Sequence, residues 1–277
     1  AVGMGFIATL IDISDARKGF FREAARRVKI ALKSKVNSAV SFVKEIVRDP
    51  IRLLSLITLF YAVYLRLNHS IAHSTFAKSD SYLHLAWTKY LGMNEIYYQG
   101  IYPFGYQAVI SSMSKLFFID PYWIIRFVGP LGGVLLALSV YYLSLRITQN
   151  HIASLLTLVI YGTVINDKLP TVFIRQTTAL PQEFAATFIF PALYFLWLYF
   201  HKNKLYYLIL FAKALSITIL IHPFSTVYLL IWSAILTIVL MIAEKLKLKA
   251  IFKSFSISTV FSLIGLAPMG IGMLMGK

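Results

Sequence analysis

Few side chains in this sequence are placed to do chemistry. After Pro50 there are only six acids: Asp80, Glu95, Asp120, Asp167, Glu183 and Glu244. Asp80 stands in Ser79-Asp80-Ser81-Tyr82-Leu83-His84, four residues before a histidine. In a helix that spacing puts carboxylate and imidazole on one face. Such a pair can bind a metal ion or position a hydroxyl or amide nucleophile. Spacing alone equally fits His84 as an ordinary helix-face residue. Glu183 closes a second polar stretch, Arg175-Gln176-Thr177-Thr178-Ala179-Leu180-Pro181-Gln182-Glu183. Asp120-Pro121 reads as an N-cap followed by proline at the first helical position. Glu95 reads as loop surface. Lys213 sits inside Phe211-Ala212-Lys213-Ala214-Leu215. A charge at membrane depth is costly and marks a functional candidate, for a lipid phosphate or a carboxylate. Snorkelling towards the interface accounts for it equally.

The elements that must position these residues are membrane helices. Of 277 residues, 58% are hydrophobic and 14% charged. Soluble domains run near 25% charged. A water-soluble globule and a disordered chain are therefore excluded. There is no cysteine, so disulfides, thiolate metal sites and cysteine nucleophiles are excluded too. Crossing a bilayer takes about 20 apolar residues. Six stretches qualify, roughly 51–68, 122–146, 151–166, 184–200, 205–221 and 224–243, with a seventh at 251–275. The reading is an all-α, polytopic transmembrane bundle of about six to seven spans over 51–277, with helical external loops. Residues 1–11 are apolar but too short to span. The chain does not begin with Met and stops in an apolar run, so a part of a larger protein is expected.

Residues 17–48 alternate basic and apolar side chains at three- and four-residue spacing. A basic amphipathic helix on anionic lipid is expected there, in a segment 1–50. A helix packed on another subunit gives the same pattern. Asp49-Pro50 should end it. The net charge is +16. Because the basic residues lie between or before apolar runs, they fit membrane topology rather than nucleic acid. The basic flanks place 17–48, 146–151, 201–204 and 244–249 in the cytoplasm. Loops 69–121 and 167–183 and the His222-Pro223 turn then lie outside, in a plasma or endoplasmic-reticulum-type membrane. Five of the six acids fall on that side. Asn68-His69-Ser70 at its edge fits an N-glycosylation sequon.

This arrangement resembles the GT-C class of integral-membrane glycosyltransferases, which includes oligosaccharyltransferase catalytic subunits and protein O-mannosyltransferases. The resemblance rests on Asp80-Ser81-Tyr82-Leu83-His84 soon after the first span, then Tyr102-Pro103-Phe104-Gly105-Tyr106. Asp120-Pro121 with Gly129-Pro130-Leu131-Gly132-Gly133, and His222-Pro223, continue it. It covers about 50–230. Oligosaccharyltransferases pair Asp with Glu in the second loop, whereas here Gln182 precedes Glu183, and their C-terminal soluble domain has no counterpart in these residues.

The resemblance implies transfer of a sugar or glycan from a polyprenyl phosphate or diphosphate to an acceptor on the extracytoplasmic face. Asp80 would be the base or the carboxylate that orients the acceptor, with Glu183 and His84 beside it. Mg²⁺ or Mn²⁺ would bridge Asp80, Glu183 and Asp167, since hard cations take oxygen ligands. No organic cofactor is implied. Arg175 and Arg126 would bind the carrier phosphate, with Tyr82, His222 and Lys213 as further substrate contacts. Helix capping explains His222, headgroup contact explains Arg126, and an aromatic belt explains Tyr82 as simply. Expected partners are the lipid-linked sugar, anionic lipids and other membrane subunits, with no nucleic acid. Two alternatives remain open: a non-catalytic membrane subunit and a transporter.

Overall fold

The structure is a computed structural model. It describes residues 44–76, 78–97, 100–164, 178 and 180–277, with single positions between 23 and 41. Among these residues the secondary structure is helical throughout, with no strand. The chain divides into two compact units, 1–54 and 55–277.

In the first unit most of the basic amphipathic helix expected over 17–48 lies outside the described residues. Its end is described. Helix runs to Arg48, breaks at Asp49 and restarts at Pro50. The Asp49 carboxylate accepts from the backbone N–H groups of Ile51 (3.0 Å) and Arg52 (3.3 Å). That is the N-cap bond that orphan donors at a helix start require.

The helices, in order, are α1 (Pro50–Ala72), α2 (Asp80–Gly92), α3 (Gly105–Phe117), α4 (Pro121–Thr148) and α5 (His151–Val159). A π-helical turn, Ile160–Val164, continues α5. Then come α6 (Pro181–Ala186), α7 (Ile189–Lys202), α8 (Leu205–Ile221), α9 (Pro223–Glu244) and α10 (Leu248–Leu274). Five stretches are long and apolar enough to cross a membrane: α1, α4, α6 with α7, α9 and α10. Two shorter apolar helices, His151–Thr163 and Leu205–Ile221, coincide with the remaining expected spans. These five apolar helices mark a membrane protein. Large apolar side chains on α1, α9 and α10, such as Phe60, Trp232 and Phe255, are exposed, as a lipid-facing surface requires.

Contacts within the second unit define two ends of its bundle. At one end His201 Nε2 meets Glu244 Oε1 at 3.0 Å, joining the close of α7 to the close of α9. The Tyr199 hydroxyl donates to the Ala250 carbonyl at 3.3 Å. Between the ends, α7, α8 and α9 share a core of Leu193, Leu196, Leu208, Phe211, Leu215 and Leu229. At the other end Arg126 Nε donates to the Ser70 carbonyl (2.7 Å) and Nη2 to the His73 carbonyl (2.6 Å). The Ser70 hydroxyl in turn donates to the Arg126 carbonyl at 2.8 Å. This clasp joins the close of α1 to the start of α4. Asp120 caps α4 as its sequence foretold, accepting from Tyr122 N at 2.8 Å, with Pro121 in the first turn. The sequon's Ser70 lies inside α1, in the clasp.

Helices α2 and α3 form the excursion between α1 and α4. Gly105 lets α3 start against α8: a Cβ there would lie 2.8 Å from the Leu220 carbonyl oxygen and 3.0 Å from its carbon. Only glycine permits that backbone approach. The loop before it is fixed to α10, because the Tyr97 hydroxyl donates to the Pro268 carbonyl and a Cβ on Gly272 would meet the Tyr97 ring at 2.9 Å.

Candidate functional site

Asp80 is the first residue of α2 and is exposed. His84, one turn on, is 7% exposed. Its Nδ1 pairs with the Gln107 amide nitrogen of α3 at 3.0 Å. An amide nitrogen only donates, so Nδ1 accepts and the neutral ring carries its proton on Nε2. The imidazole is boxed in by aromatic rings: Trp87 at 5.2 Å, Tyr106 at 6.0 Å and Tyr102 at 6.1 Å between centroids. Burial pushes the His84 pKa down to about 4; Asp80 pulls it up and His222 pushes it further down. Asp80, His84 and His222 therefore lie within electrostatic reach of one another's region. Burial also raises the Tyr102 and Tyr106 phenols.

The second polar stretch reaches the same place from the other side. Helix α6 opens with Pro181 and carries Glu183 in its first turn. Phe184 lies 5.5 Å from Tyr106, ring to ring. Tyr106, Ile110, Ile125, Ala185 and Ile221 form one buried cluster with Leu85 and Phe184 packed against it. The Ser225 hydroxyl at the start of α9 donates to the Gln182 carbonyl at 2.9 Å, placing Glu183's helix beside the His222-Pro223 turn. Tyr106 thus packs against α2 through His84 and against α6 through Phe184. Its hydroxyl is buried without a hydrogen-bond partner among the described residues, as are Ser81 Oγ and Gln107 Oε1. Buried polar atoms are seldom orphaned, and each marks a place where a polar ligand or ordered water fits.

The other expected site residues make contacts of their own. Arg126 is held in the clasp, with its guanidinium 5.0 Å over the Trp123 ring. The Tyr82 hydroxyl accepts from Phe76 N at 3.2 Å and its ring packs on Phe76. Lys213 is exposed at the middle of α8, with no hydrogen bond or ion pair among the described residues. Asp167 and Arg175 lie outside the described residues. Among those described, no three His, Asp or Glu side chains assemble.

One residue escaped the sequence reading. Arg66 of α1 is fully buried and donates to the carbonyls of Ala62 (3.1 Å), Gly162 (3.1 Å) and Tyr161 (3.5 Å). Its guanidinium lies 6.0 Å from the Tyr161 ring, and Tyr161 in turn couples electrostatically to Glu183. The signal was available, a charge two turns inside an apolar helix. Two of its three acceptors, Gly162 and Tyr161, lie on the π-helical turn, a backbone form that recurs at functional sites.

The buried imidazole has a consequence for pH. With its pKa lowered from the usual 6.5 to about 4, folded His84 holds fewer protons than the unfolded chain between those values. Stability is then complete above about pH 6.5 and falls as pH drops towards 4, by on the order of 3 kcal/mol. Thermal midpoints of the detergent-purified protein between pH 7 and 4.5 test this. Most of the acid loss should vanish in His84→Gln.

Compared with known protein families, characterised proteins and solved structures, the chain matches none.

Proposed function

We propose that this protein is a membrane glycosyltransferase that moves a sugar or glycan from a polyprenyl phosphate or diphosphate to an acceptor on the extracytoplasmic face. The observation that carries the reading is the packing of Tyr106 between His84 and Phe184, which brings together the helix that carries Asp80 and the helix that carries Glu183. A transporter would gather its polar groups near the bilayer midplane; these gather at one end of the bundle.

The acceptor's hydroxyl or amide attacks the anomeric carbon of the carrier-bound sugar. The bond from that carbon to the phosphate oxygen breaks, and the oxygen leaves with the electron pair. The acceptor's proton passes to Asp80, which is exposed and within electrostatic reach of His84. His84, uncharged at neutral pH, serves as a donor through Nε2 rather than as an acid. Arg175 is the candidate for the departing phosphate, where a guanidinium stabilises developing charge.

The test is transfer by purified protein from a lipid-linked sugar. A positioned carboxylate is worth roughly 100-fold or more, so Asp80→Asn should cost at least that in rate while keeping the parent's thermal midpoint. An unchanged rate removes Asp80 from the mechanism.

A further inference from the structure

Helices α4 and α7 leave an open groove between them. Ser139, Tyr142 and Leu143 of α4 and Phe190, Tyr194 and Phe195 of α7 line it. It holds about 270 Å³, near the lower end of ligand pockets at about 300 Å³. Its walls are hydrocarbon. The Ser139 hydroxyl turns to its own helix, donating to the Leu136 carbonyl at 2.8 Å. Pro191, also in the lining, has no N–H to offer. Ser139 stands about 14 Å from the end of α4 at Thr148, at about 1.5 Å per residue. The groove therefore opens within one leaflet of a hydrocarbon core about 30 Å thick.

Polar donors gather at its mouth. The Tyr142 and Tyr194 rings meet edge to face, 5.4 Å apart at 84°. The Tyr142 hydroxyl interacts with both the Tyr194 hydroxyl and the Arg146 guanidinium, which lies 4.9 Å from the Tyr142 ring centre. Trp197 stacks on Tyr194 at 5.9 Å and His201 meets Trp197 at 4.1 Å, so the mouth adjoins the His201–Glu244 end of the bundle, opposite the clasp. Arg146 is exposed and takes part in no ion pair among the described residues. Its planar fork binds phosphate oxygens two at a time. The exposed Lys202 and Lys204 add positive charge at the same end.

An apolar groove and a cationic mouth together select an amphiphile. A free anion leaves the groove empty. An uncharged lipid gives Arg146 no counter-charge, and a choline headgroup sets a second cation beside it. A phosphodiester carrying the headgroup's only charge satisfies both parts. We propose that this site binds one anionic phospholipid, its phosphate on Arg146 and the tyrosine hydroxyls and one acyl chain along Leu143, Phe190 and Phe195. The site lies at the far end of α4 from the clasp and does not depend on the transfer reading.

Native mass spectrometry of the full chain, released from detergent, counts bound lipid during titration with dioleoyl phosphatidylglycerol or dioleoyl phosphatidylcholine. Phosphatidylglycerol should saturate at one tightly held lipid, with an affinity about tenfold above that of phosphatidylcholine. Arg146→Gln, at an exposed position, should erase this preference and keep the parent's thermal midpoint in lipid-free detergent. Ser139→Leu narrows the groove and should weaken phosphatidylglycerol about tenfold with Arg146 in place. Lys115→Gln removes an exposed cation from the last turn of α3 and should change nothing. The proposal is overturned if phosphatidylglycerol binds no better than phosphatidylcholine, or if Arg146→Gln keeps the preference. It is equally overturned if folded Ser139→Leu binds as the parent does, if Lys115→Gln loses as much as Arg146→Gln, or if excess inorganic phosphate displaces the lipid. Should Ser139→Leu fail to fold, Arg146→Gln and the phosphate competition decide.

Discussion

Arg66→Leu is expected to lower the thermal midpoint of the detergent-purified protein by about 10 °C. The guanidinium is fully buried and bridges α1 to the Gly162 and Tyr161 carbonyls of the π-helical turn. Charged hydrogen bonds of this kind contribute about 1.5–3 kcal/mol each. At this depth no bulk water replaces the lost donor. A total of about 3–5 kcal/mol follows, and roughly 2–4 °C accompanies each kcal/mol in a domain of this size. Arg66→Lys should fall between the two. It keeps the charge but replaces a planar fork with a point donor that cannot reach several carbonyls at once. A leucine variant as stable as the parent would show that α1 and the π turn are held together by something else.

Gly265→Leu is expected to abolish the packing of α10 on α8, seen as loss of monodisperse protein in gel filtration. A Cβ at Gly265 would stand 2.7 Å from the Ser216 carbonyl oxygen and 3.2 Å from Ile219 Cβ. The first of these is backbone, which cannot rotate away as a side chain can. Membrane helices approach this closely only over small residues, and Ser254 and Gly272 are the other buried residues of α10. Gly265→Ala should cost about 1–3 kcal/mol, the usual range for overpacking. Gly270 is the control. Nothing lies within 4 Å of a Cβ there, so Gly270→Ala should leave the midpoint where it was.

Elements governed by local rules were legible in the sequence. Apolar run length located the helices. Asp120-Pro121 announced the start of α4, and Asp49-Pro50 the break before α1. The four-residue step from Asp80 to His84 placed both on α2. What escaped depends on partners distant in the chain. Arg66 bonds to Gly162, 96 residues away, and a charge two turns inside an apolar helix does not say which distant backbone it will meet. Arg126, expected at a lipid phosphate, also donates through Nε and Nη2 to carbonyls at the end of α1, which its own neighbourhood in sequence does not announce. Gln107 carried no recognisable spacing, because its significance lies in the helices that close around it. The expected span 184–200 is one stretch in two pieces, α6 and α7, divided at Thr187–Phe188.

The clasp of Ser70, His73 and Arg126 bears on the order of assembly. It ties together the two points where the chain leaves the bundle after α1 and rejoins it at α4. The entropy of closing a long loop is thereby settled by contacts outside the loop. Length changes between residues 73 and 120 are then confined to stretches that touch nothing else, because Tyr97 on Pro268 and Gly105 against Leu220 tie the excursion to the scaffold at two further points.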